Sequence, residues 1–486
     1  MGTQELTEKY QLVVGLEVHA QLATASKLFA ADASSFGAKA NTQVSVISLG
    51  HPGTLPKVNL QAVNFAVRMG LACSCRINRI SSFDRKNYFY PDLPKGYQIT
   101  QDKAPICLGG EVALTLEDGS DQVVLLNRIH LEEDAGKLIH SLGRAESWVD
   151  FNRAGTALIE IVTEPCIRSA EEAVAFLAEI RKLVMYLGIC DGNMEEGSLR
   201  CDANISVRLR GETTLGKKVE VKNMNSFRNL GRAIEFEYER QASMLEQGEE
   251  IISETRTFDA DGGYTASMRT KEALNDYRYF PDPDLPPLVL SEEWIKEVAE
   301  QMPTLPRVLY RKFMEVYQLP SYDAALLTET REMAAWYESL CKCSKYFKAA
   351  SNWIMGPIRS YMNEHGIDFS NFPLTPDSIA QLIDLVEEGQ VSFSSASQKI
   401  FPELILRPGV LPSEIAQQLN LIQESDVSFL VPLAQEVLAK NPEKVAEFKS
   451  GKKGLLGFFM GELMKNSKGK ADPKVATQLL SELLAN

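Results

Sequence analysis

Three features that are scarce in this 486-residue sequence narrow its class. Its eight cysteines are spread along the chain, unlike the dense framework of a small secreted domain, so reduced thiols and a cytoplasmic location are expected. No apolar run approaches the roughly 20 residues that a membrane span requires. The chain has 51 Lys and Arg against 65 Asp and Glu, so it is acidic overall. A protein that coats nucleic acid indiscriminately needs a basic surface, and the composition argues against that class.

Common catalytic signatures are also missing. The sequence has no GxxxxGKS/T phosphate loop, no GxGxxG after a predicted strand and no GxSxG hydrolase elbow. Any ATP must therefore be held by metal ions and side chains on a sheet. Two Cys-x-Cys pairs, Cys73/Cys75 and Cys341/Cys343, lie far apart with no His at ligand spacing, which favours thiols over zinc.

Two breaks divide the chain. Period-two segments and Gly/Pro turns dominate up to the Pro-rich stretch 279–287, after which apolar residues recur every three or four positions. A second break falls at 407–413. The sequence therefore predicts an α+β protein with three domains, at 1–290, 291–408 and 409–486.

Polar residues alternate with apolar ones along several predicted N-terminal strands. In segment 16–22, Glu17, His19 and Gln21 share one face. The same spacing groups further sets: Arg128, His130, Glu132 and Asp134; Glu160 and Glu164; Arg200, Asp202, Asn204, Ser206 and Arg208; Glu220 and Lys222. One interpretation is a sheet with one face in water. The other is a site where oxygen and imidazole ligands hold a hard cation such as Mg²⁺. The pattern alone leaves both open.

Two loops favour the second interpretation. Arg85, Lys86 and Lys95 stand close together among aromatic residues and prolines, and such cations can hold phosphate oxygens. Glu195 and Glu196 come just before the polar-faced strand at 199–209.

Long blocks of the sequence resemble one known family. They are VVGLEVHAQL (13–22), FDRKNYFYPDLPKGYQITQ (83–101), HLEEDAGK (130–137), DFNRAGTALIEIVTEP (150–165), GNMEEGSLRCDANISVR (192–208), EVKNMNSF (220–227) and GFFMGELMKNSKGKADP (457–473). These blocks look like those of the B subunits of tRNA-dependent glutamyl-tRNA(Gln)/aspartyl-tRNA(Asn) amidotransferases, the GatB family. The resemblance runs from about residue 10 to the C-terminus.

The resemblance implies a fold and a reaction. The expected fold is a glutamine-synthetase-like cradle with an antiparallel sheet, followed by an all-α domain and a small all-α tail that contacts tRNA. The expected reaction is that of a ligase: ATP and Mg²⁺ serve to phosphorylate the side-chain carboxylate of misacylated Glu-tRNA(Gln) or Asp-tRNA(Asn), and ammonia displaces the phosphate. An amidase-type glutaminase, the A subunit, and a small C subunit would complete a heterotrimer. The sequence leaves open which tRNA is amidated.

The resemblance also implies roles for individual residues. Glu17, His19, Glu133 and Glu160 correspond to the metal site and the catalytic positions. Strand alternation favours Glu132 instead of Glu133, and a bulge after His130 would reconcile the two. The remaining assignments are Lys86, Tyr88 and Lys95 along an ammonia passage, and, more weakly, Glu195, Glu196, Arg200, Asp202, Glu220 and Lys222 around ATP.

The sequence departs from the family at one place. Many members carry a four-cysteine zinc site, but Ala30, Asp32, Ser45 and Ser48 occupy those positions here, so no zinc is expected. The tail is basic: residues 431–486 hold nine Lys and six acidic residues, a net +3, which leaves −17 for residues 1–430. Its expected tRNA contacts are Lys452, Lys453, Lys465, Lys468 and Lys470. The alternative function is a tRNA-binding scaffold without chemistry of its own.

Overall fold

A computed structural model describes residues 3–140, 146–270, 277–422, 427–467, 471 and 473–485. The chain divides into two compact units, Met1–Leu305 and Pro306–Asn486. None of the helices in the described part of the chain combines the length and the apolar character needed to cross a membrane. The second predicted boundary, at 408/409, remains a prediction.

The N-terminal unit combines strands with five helices among its described residues. The strands are β1 (Tyr10–Gln21), β2 (Arg76–Ile77), β3 (Ile80–Ser81), β4 (Asp84–Asn87), β5 (Tyr97–Thr100), β6 (Cys107–Leu108), β7 (Glu111–Thr115), β8 (Asp121–Glu133), β9 (Lys137–His140), β10 (Ser147–Asp150), β11 (Ala157–Thr163), β12 (Leu199–Leu209), β13 (Val219–Lys222), β14 (Glu254–Asp259), β15 (Tyr264–Thr270), β16 (Phe280–Pro281) and β17 (Leu288–Val289). The helices are α1 (Thr3–Lys9), α2 (Leu60–Ala72), α3 (Ala170–Tyr186), α4 (Phe227–Glu246) and α5 (Glu292–Glu300).

One large mixed sheet organises this unit. Its order is β15-β14-β13-β12-β1-β11-β8-β6-β2, with β7 paired to β8, and the pairing is antiparallel except between β13 and β14. β1 lies at the centre, between β11 and β12. Its apolar side chains Leu16, Val18 and Ala20 are fully buried, so the alternation predicted from the sequence is observed. The opposite face carries the polar rows.

Helices α2, α3 and α4 cover the apolar face of the sheet. α3 begins with a side-chain cap: the Ser169 side chain accepts a hydrogen bond from the Glu172 backbone N–H, and apolar residues of the helix face the core. α5 follows the predicted boundary at 290 but packs onto this core through Val298. The structural boundary therefore falls after residue 305.

The named secondary-structure elements of the C-terminal unit are helices, joined by loops, among its described residues. Its α-helices are α6 (Pro306–Glu315), α7 (Ser321–Leu327), α8 (Arg331–Cys343), α9 (Phe347–Trp353), α10 (Arg359–His365), α11 (Pro376–Glu387), α12 (Phe393–Ser395), α13 (Phe401–Leu406), α14 (Pro412–Gln418), α15 (Val427–Lys440), α16 (Pro442–Lys449), α17 (Leu456–Asn466) and α18 (Pro473–Ala485). The last four enclose a hydrophobic cluster of their own, which includes Leu430, Phe459 and Leu480.

Candidate functional site

The polar face of β1 lies at the centre of the candidate site. The strand register sets His19 opposite Glu160 on β11 and opposite Arg200 on β12. Two residues earlier, Glu17 stands opposite Asp202. Because neighbouring side chains on one face of a strand are about 7 Å apart, Glu17 and His19 join different sets of partners.

The first set, which we call the histidine group, consists of His19, Glu132 and Glu160. One potential ligand atom from each lies within 4.8 Å of the others. The His19 Nε2 atom is 3.4 Å from a Glu132 oxygen and 3.4 Å from a Glu160 oxygen. An imidazole nitrogen and two carboxylates can hold a divalent cation.

A second imidazole, that of His130, stands behind these carboxylates. Its side chain is 3% exposed, and its Nε2 atom is 3.2 Å from Glu160 Oε2 and 3.7 Å from Glu132 Oε2. Burial alone would lower the pKa of His130, but the charges of Glu160 and Glu132 raise it to about 9. Strand alternation predicts His130 on the polar face, but neither the alternation nor the resemblance assigns it a role in the site.

The two imidazoles fix the charge of Glu160. Burial disfavours its anion, but His130 and then His19 outweigh that effect and hold the pKa of Glu160 well below its ordinary value. Glu160 is therefore an anion at neutral pH, able to accept a cation.

The second set, the acidic group, consists of Glu17, Asp202 and Glu220. One oxygen from each lies within 4.8 Å of the others. Asn204 orients Glu17 by donating a hydrogen bond to its Oε1 atom at 2.8 Å. Burial, followed by the charge of Glu160, raises the pKa of Glu17. The Lys222 ammonium contacts Asp202 at 2.5 Å and Glu220 at 2.8 Å.

Arg200 flanks the histidine group. Its guanidinium donates to Asp134 Oδ2 at 2.9 Å, and Gln21 donates to the same oxygen. Burial would raise the pKa of Asp134, but Arg200 and Arg153 together lower it. Asp134 thus anchors a cation at the edge of the site.

Lys86 and Tyr88, predicted to line an ammonia passage, lie beside Tyr277. The Lys86 Nζ atom is 4.8 Å from the ring centre of Tyr277 and 5.9 Å from that of Tyr88. Burial opposes its charge, yet Glu132 above all raises the pKa of Lys86 beyond its ordinary value. A protonated amine thus stands beside the aromatic rings and is close enough to Glu132 of the histidine group for that charge to act on it.

The structure separates Glu133 from both groups. Its Oε1 atom accepts hydrogen bonds from the Lys95 ammonium and, at 2.9 Å, from the Ile99 backbone N–H. A bulge after His130, which would have reconciled the two assignments, is absent: β8 pairs with β11 in unbroken register from Glu133 to Arg128, and the shift comes later, between Val162 and Thr163. Adjacent residues on a regular strand face opposite ways. Glu132 therefore meets His19, whereas Glu133 meets Lys95.

Glu133 and Lys95 border a small cavity that Lys27, Ala30 and Ser48 also line. The Lys27 side chain is almost fully buried, and burial lowers its pKa despite the nearby charges of Asp32 and Glu133.

Residues at the family's cysteine positions form a hydrogen-bonded set beside this cavity. The Asp32 carboxylate accepts a hydrogen bond from the Ser45 hydroxyl at 2.9 Å and another from the Ser48 hydroxyl. Three of the four positions thus hold this loop together through oxygen atoms.

Glu195 and Glu196 lie in the turn before β12. Their backbone N–H groups donate to the Asn193 side chain at 3.0 and 3.2 Å, and both residues are exposed. Neither belongs to the two ligand groups found among the described residues.

The structure describes three of the five lysines predicted to contact tRNA. Lys452 pairs with Glu447 at 3.1 Å, the Lys453 ammonium is 4.7 Å from the ring centre of Phe448, and Lys465 is exposed. Lys468 and Lys470 lie outside the described residues.

Known proteins are similar to this sequence over almost its whole length. Residues 12–296 match the GatB/GatE catalytic domain, and residues 335–484 match the GatB domain. Proteins named as the B subunit of aspartyl/glutamyl-tRNA(Asn/Gln) amidotransferase are 47% identical in Synechococcus sp. and 49% identical in Oleidesulfovibrio alaskensis; each match covers 98% of this chain and at least 98% of the relative. The chain belongs to this family of amidotransferase B subunits. A Geobacter sulfurreducens member is 47% identical over 98% of this chain. The family predicted from the sequence blocks is therefore confirmed.

Proposed function

We propose that this chain is the ATP-dependent synthetase subunit of a tRNA-dependent amidotransferase. It would convert the side-chain carboxylate of Glu-tRNA(Gln), Asp-tRNA(Asn) or both to the amide. The observation that carries the proposal is the pair of ligand groups on one sheet face, with Lys86 and Arg200 beside them. A reaction between two polyanions needs such a concentration of cations and cation ligands.

The residues of both groups fit Mg²⁺. The histidine group offers a nitrogen and two carboxylates, and the acidic group offers three carboxylates. The raised pKa of Glu17, caused by burial and by Glu160, indicates negative charge that a cation would offset. When bound, ATP supplies the phosphoryl group and Mg²⁺ offsets the charge of its phosphates.

The side chains around the groups have separate tasks in this proposal. Glu160, held as an anion by two imidazoles, fixes the centre of the site. Lys86 stays protonated and can hold an oxygen that gains charge as the carboxylate is phosphorylated. Arg200 is oriented by Asp134 and can hold a phosphate oxygen. Lys222, on β13, can also hold a phosphate oxygen. Glu195 and Glu196 are exposed and would contribute to ATP binding only from the rim of the site.

Ammonia must reach this site without being lost to water. In the proposal an amidase-type A subunit releases it from glutamine, and a small C subunit holds the two together. Lys86 and Tyr88 would line the last part of the passage, and the Lys95–Glu133 contact stands at the adjoining cavity. Ammonia would then form the C–N bond as the C–O bond to phosphate breaks.

The proposal also assigns a function to each of the two compact units, Met1–Leu305 and Pro306–Asn486. The sheet-containing unit would be the glutamine-synthetase-like cradle, and the helices after residue 305 would comprise a helical domain and a tRNA-binding tail from about residue 409. The separate cluster of α15–α18 and the exposed tail lysines support this division. The proposal includes a cytoplasmic heterotrimer, and no zinc at Ala30, Asp32, Ser45 and Ser48.

ADP release tests the proposed function. The assembled enzyme should release ADP only with misacylated tRNA, and Glu160→Gln should abolish release because it removes the central anion. Glu164→Gln is the matched control: Glu164 lies four residues further along the chain, just beyond the end of β11, and accepts a hydrogen bond from Asn127. If the complex makes amide without forming ADP, the proposal is wrong and the scaffold function gains support.

A further inference from the structure

One carboxylate ties together the loop that joins β1 to α2. The Asp32 Oδ2 atom accepts hydrogen bonds from the Ser45 hydroxyl at 2.9 Å and from the Ser48 hydroxyl. The Ser45 oxygen in turn accepts a hydrogen bond from the Ile47 backbone N–H at 3.2 Å. Because Asp32 and Ser45 are 13 residues apart in the sequence, the carboxylate links two separate segments of the loop.

The side chains at these positions do not fit zinc, although many members of the family carry four cysteines there. Structural zinc sites use four Cys or His ligands, whereas Ala30 has no ligand atom and both serine hydroxyls donate to Asp32. Asp32 belongs to neither ligand group found among the described residues. A single carboxylate therefore joins the loop at the place where those relatives use metal.

The turn that Asp32 holds lies directly against the stem of Lys95. In this turn the Gly50 N–H donates to the Ile47 carbonyl at 3.0 Å. Gly50 has a φ of +65°, and a Cβ atom there would stand 2.6 Å from Lys95 Cγ. Only a residue without a side chain leaves room for the Lys95 stem, so the position of the turn fixes the path of that stem.

Ser48 brings the same turn to the cavity at the proposed passage. Its side chain lines that cavity together with those of Lys95 and Glu133, which contact each other. Gly155 borders the same space: a Cβ atom there would stand 3.8 Å from Ser48 Oγ and 3.8 Å from Glu133 Oε2. The hydroxyl that Asp32 holds and the carboxylate that Lys95 holds therefore face one gap.

We infer that Asp32 is a positioning residue for the ammonia passage: it holds the turn at 45–50 so that Lys95 stays against Glu133. The inference rests on the proposed function, which supplies the ammonia. Asp32 has no part in the two ligand groups, so its loss would disturb the delivery of ammonia and leave the amide-forming site intact. Ammonia from solution can enter at the open edge of that site, where the Arg200 side chain is 36% exposed, and it bypasses the cavity.

Two amidation rates test the inference. Amide formation by the assembled enzyme is measured with glutamine and, separately, with saturating ammonium chloride. Asp32→Ala leaves both serine hydroxyls without their acceptor. It should lower the glutamine-dependent rate on the order of tenfold, while the ammonia-dependent rate stays within about twofold of wild type. Asp32→Asn keeps an oxygen that can accept from both hydroxyls, and it should retain most of the glutamine-dependent rate.

Two glycine variants test the contact with Lys95 without changing Asp32. Gly50→Ala places a Cβ atom on the Lys95 stem and should lower the glutamine-dependent rate selectively, as Asp32→Ala does. Gly53→Ala is the matched control. Gly53 also has a positive φ, +85°, in the same loop, but no atom of the described residues beyond its chain neighbours lies within 4 Å of a Cβ there. This control should keep both rates.

A double-variant cycle separates Asp32 from Lys95. Since Asp32 acts through Lys95, Asp32→Ala combined with Lys95→Met should lose no more glutamine-dependent activity than Lys95→Met alone. Losses that multiply, equal losses of both rates in Asp32→Ala and Gly50→Ala, or no loss in either variant would overturn the role of Asp32 alone. Amide formation by the wild type without ADP release would instead overturn the proposed function.

Discussion

Glu132 and Glu133 are adjacent, yet the structure gives them unrelated surroundings. Glu132 faces His19 at 3.4 Å, whereas Glu133 faces Lys95 and the Ile99 N–H on the other side of the strand. We therefore expect Glu132→Gln and Glu133→Gln to have different effects on metal binding, although the chemical change is the same.

The expected magnitude follows from the ligand count. Glu132→Gln replaces one of the two charged ligands of the histidine group, and even loss of a supporting partner behind a ligand typically costs 10- to 100-fold in metal affinity. Loss of the ligand itself should therefore weaken Mn²⁺ binding by at least about 100-fold. Glu133→Gln leaves all three members of the group in place, so its metal affinity should stay within about twofold of wild type.

The assay is a Mn²⁺ titration of both variants beside ammonia- and glutamine-dependent amidation. Glu133→Gln should lose more of the glutamine-dependent than of the ammonia-dependent rate, because it disturbs the Lys95 contact at the proposed passage. Equal losses of metal affinity, or a larger loss in Glu133→Gln, would refute the assignment drawn from the strand register.

Three more predictions concern other parts of the chain. His130→Gln should weaken Mn²⁺ binding by about 10- to 100-fold, because His130 orients both carboxylates from behind; an unchanged affinity would contradict that role. Glu237→Gln should cost about 3 kcal/mol of unfolding free energy at pH 7, because it removes the buried anion that Arg240 and Arg256 share, although Arg256 keeps its contact with Glu254. Replacing the cluster of tail lysines (Lys452, Lys453 and Lys465) with Glu should weaken tRNA binding and flatten its dependence on salt, while ATP binding persists.

The pH dependence of Glu237 has a definite sign. Burial disfavours its anion, but hydrogen bonds from Arg240, Gln241 and Thr265 lower its pKa below the ordinary value of 4.5. Its stabilising contribution is therefore complete above pH 4.5 and is lost as pH falls through the lower folded-state pKa. Thermal unfolding of wild type and Glu237→Gln should differ most at neutral pH and converge in acid. A difference that grows in acid would refute this sign.

The sequence predicts which face of a single strand is polar better than it predicts which strands pair and in what register. Alternation identifies the polar face of β1 and β12, because the two-residue period is a local property. The partition of Glu17 and His19 into separate groups depends on register against β11 and β12, which pairs residues more than 140 positions apart. No local pattern encodes that pairing.

Two contacts in the site depend on strand pairing that no local pattern predicts. A bulge after His130 would have brought Glu133 to His19, but the observed ladder is regular there. The contact of Lys222 with Asp202 likewise depends on the pairing of β12 with β13. In both cases the deciding fact is a cross-strand neighbour.

The central claim is that ATP phosphorylates the side-chain carboxylate of the aminoacyl group. The most direct measurement uses tRNA charged with Glu or Asp whose side-chain carboxylate carries ¹⁸O at both oxygens, followed by mass spectrometry of the phosphate released. The account predicts one ¹⁸O atom in each phosphate formed with the amide. Phosphate without ¹⁸O, released at the same rate as the amide, would contradict it.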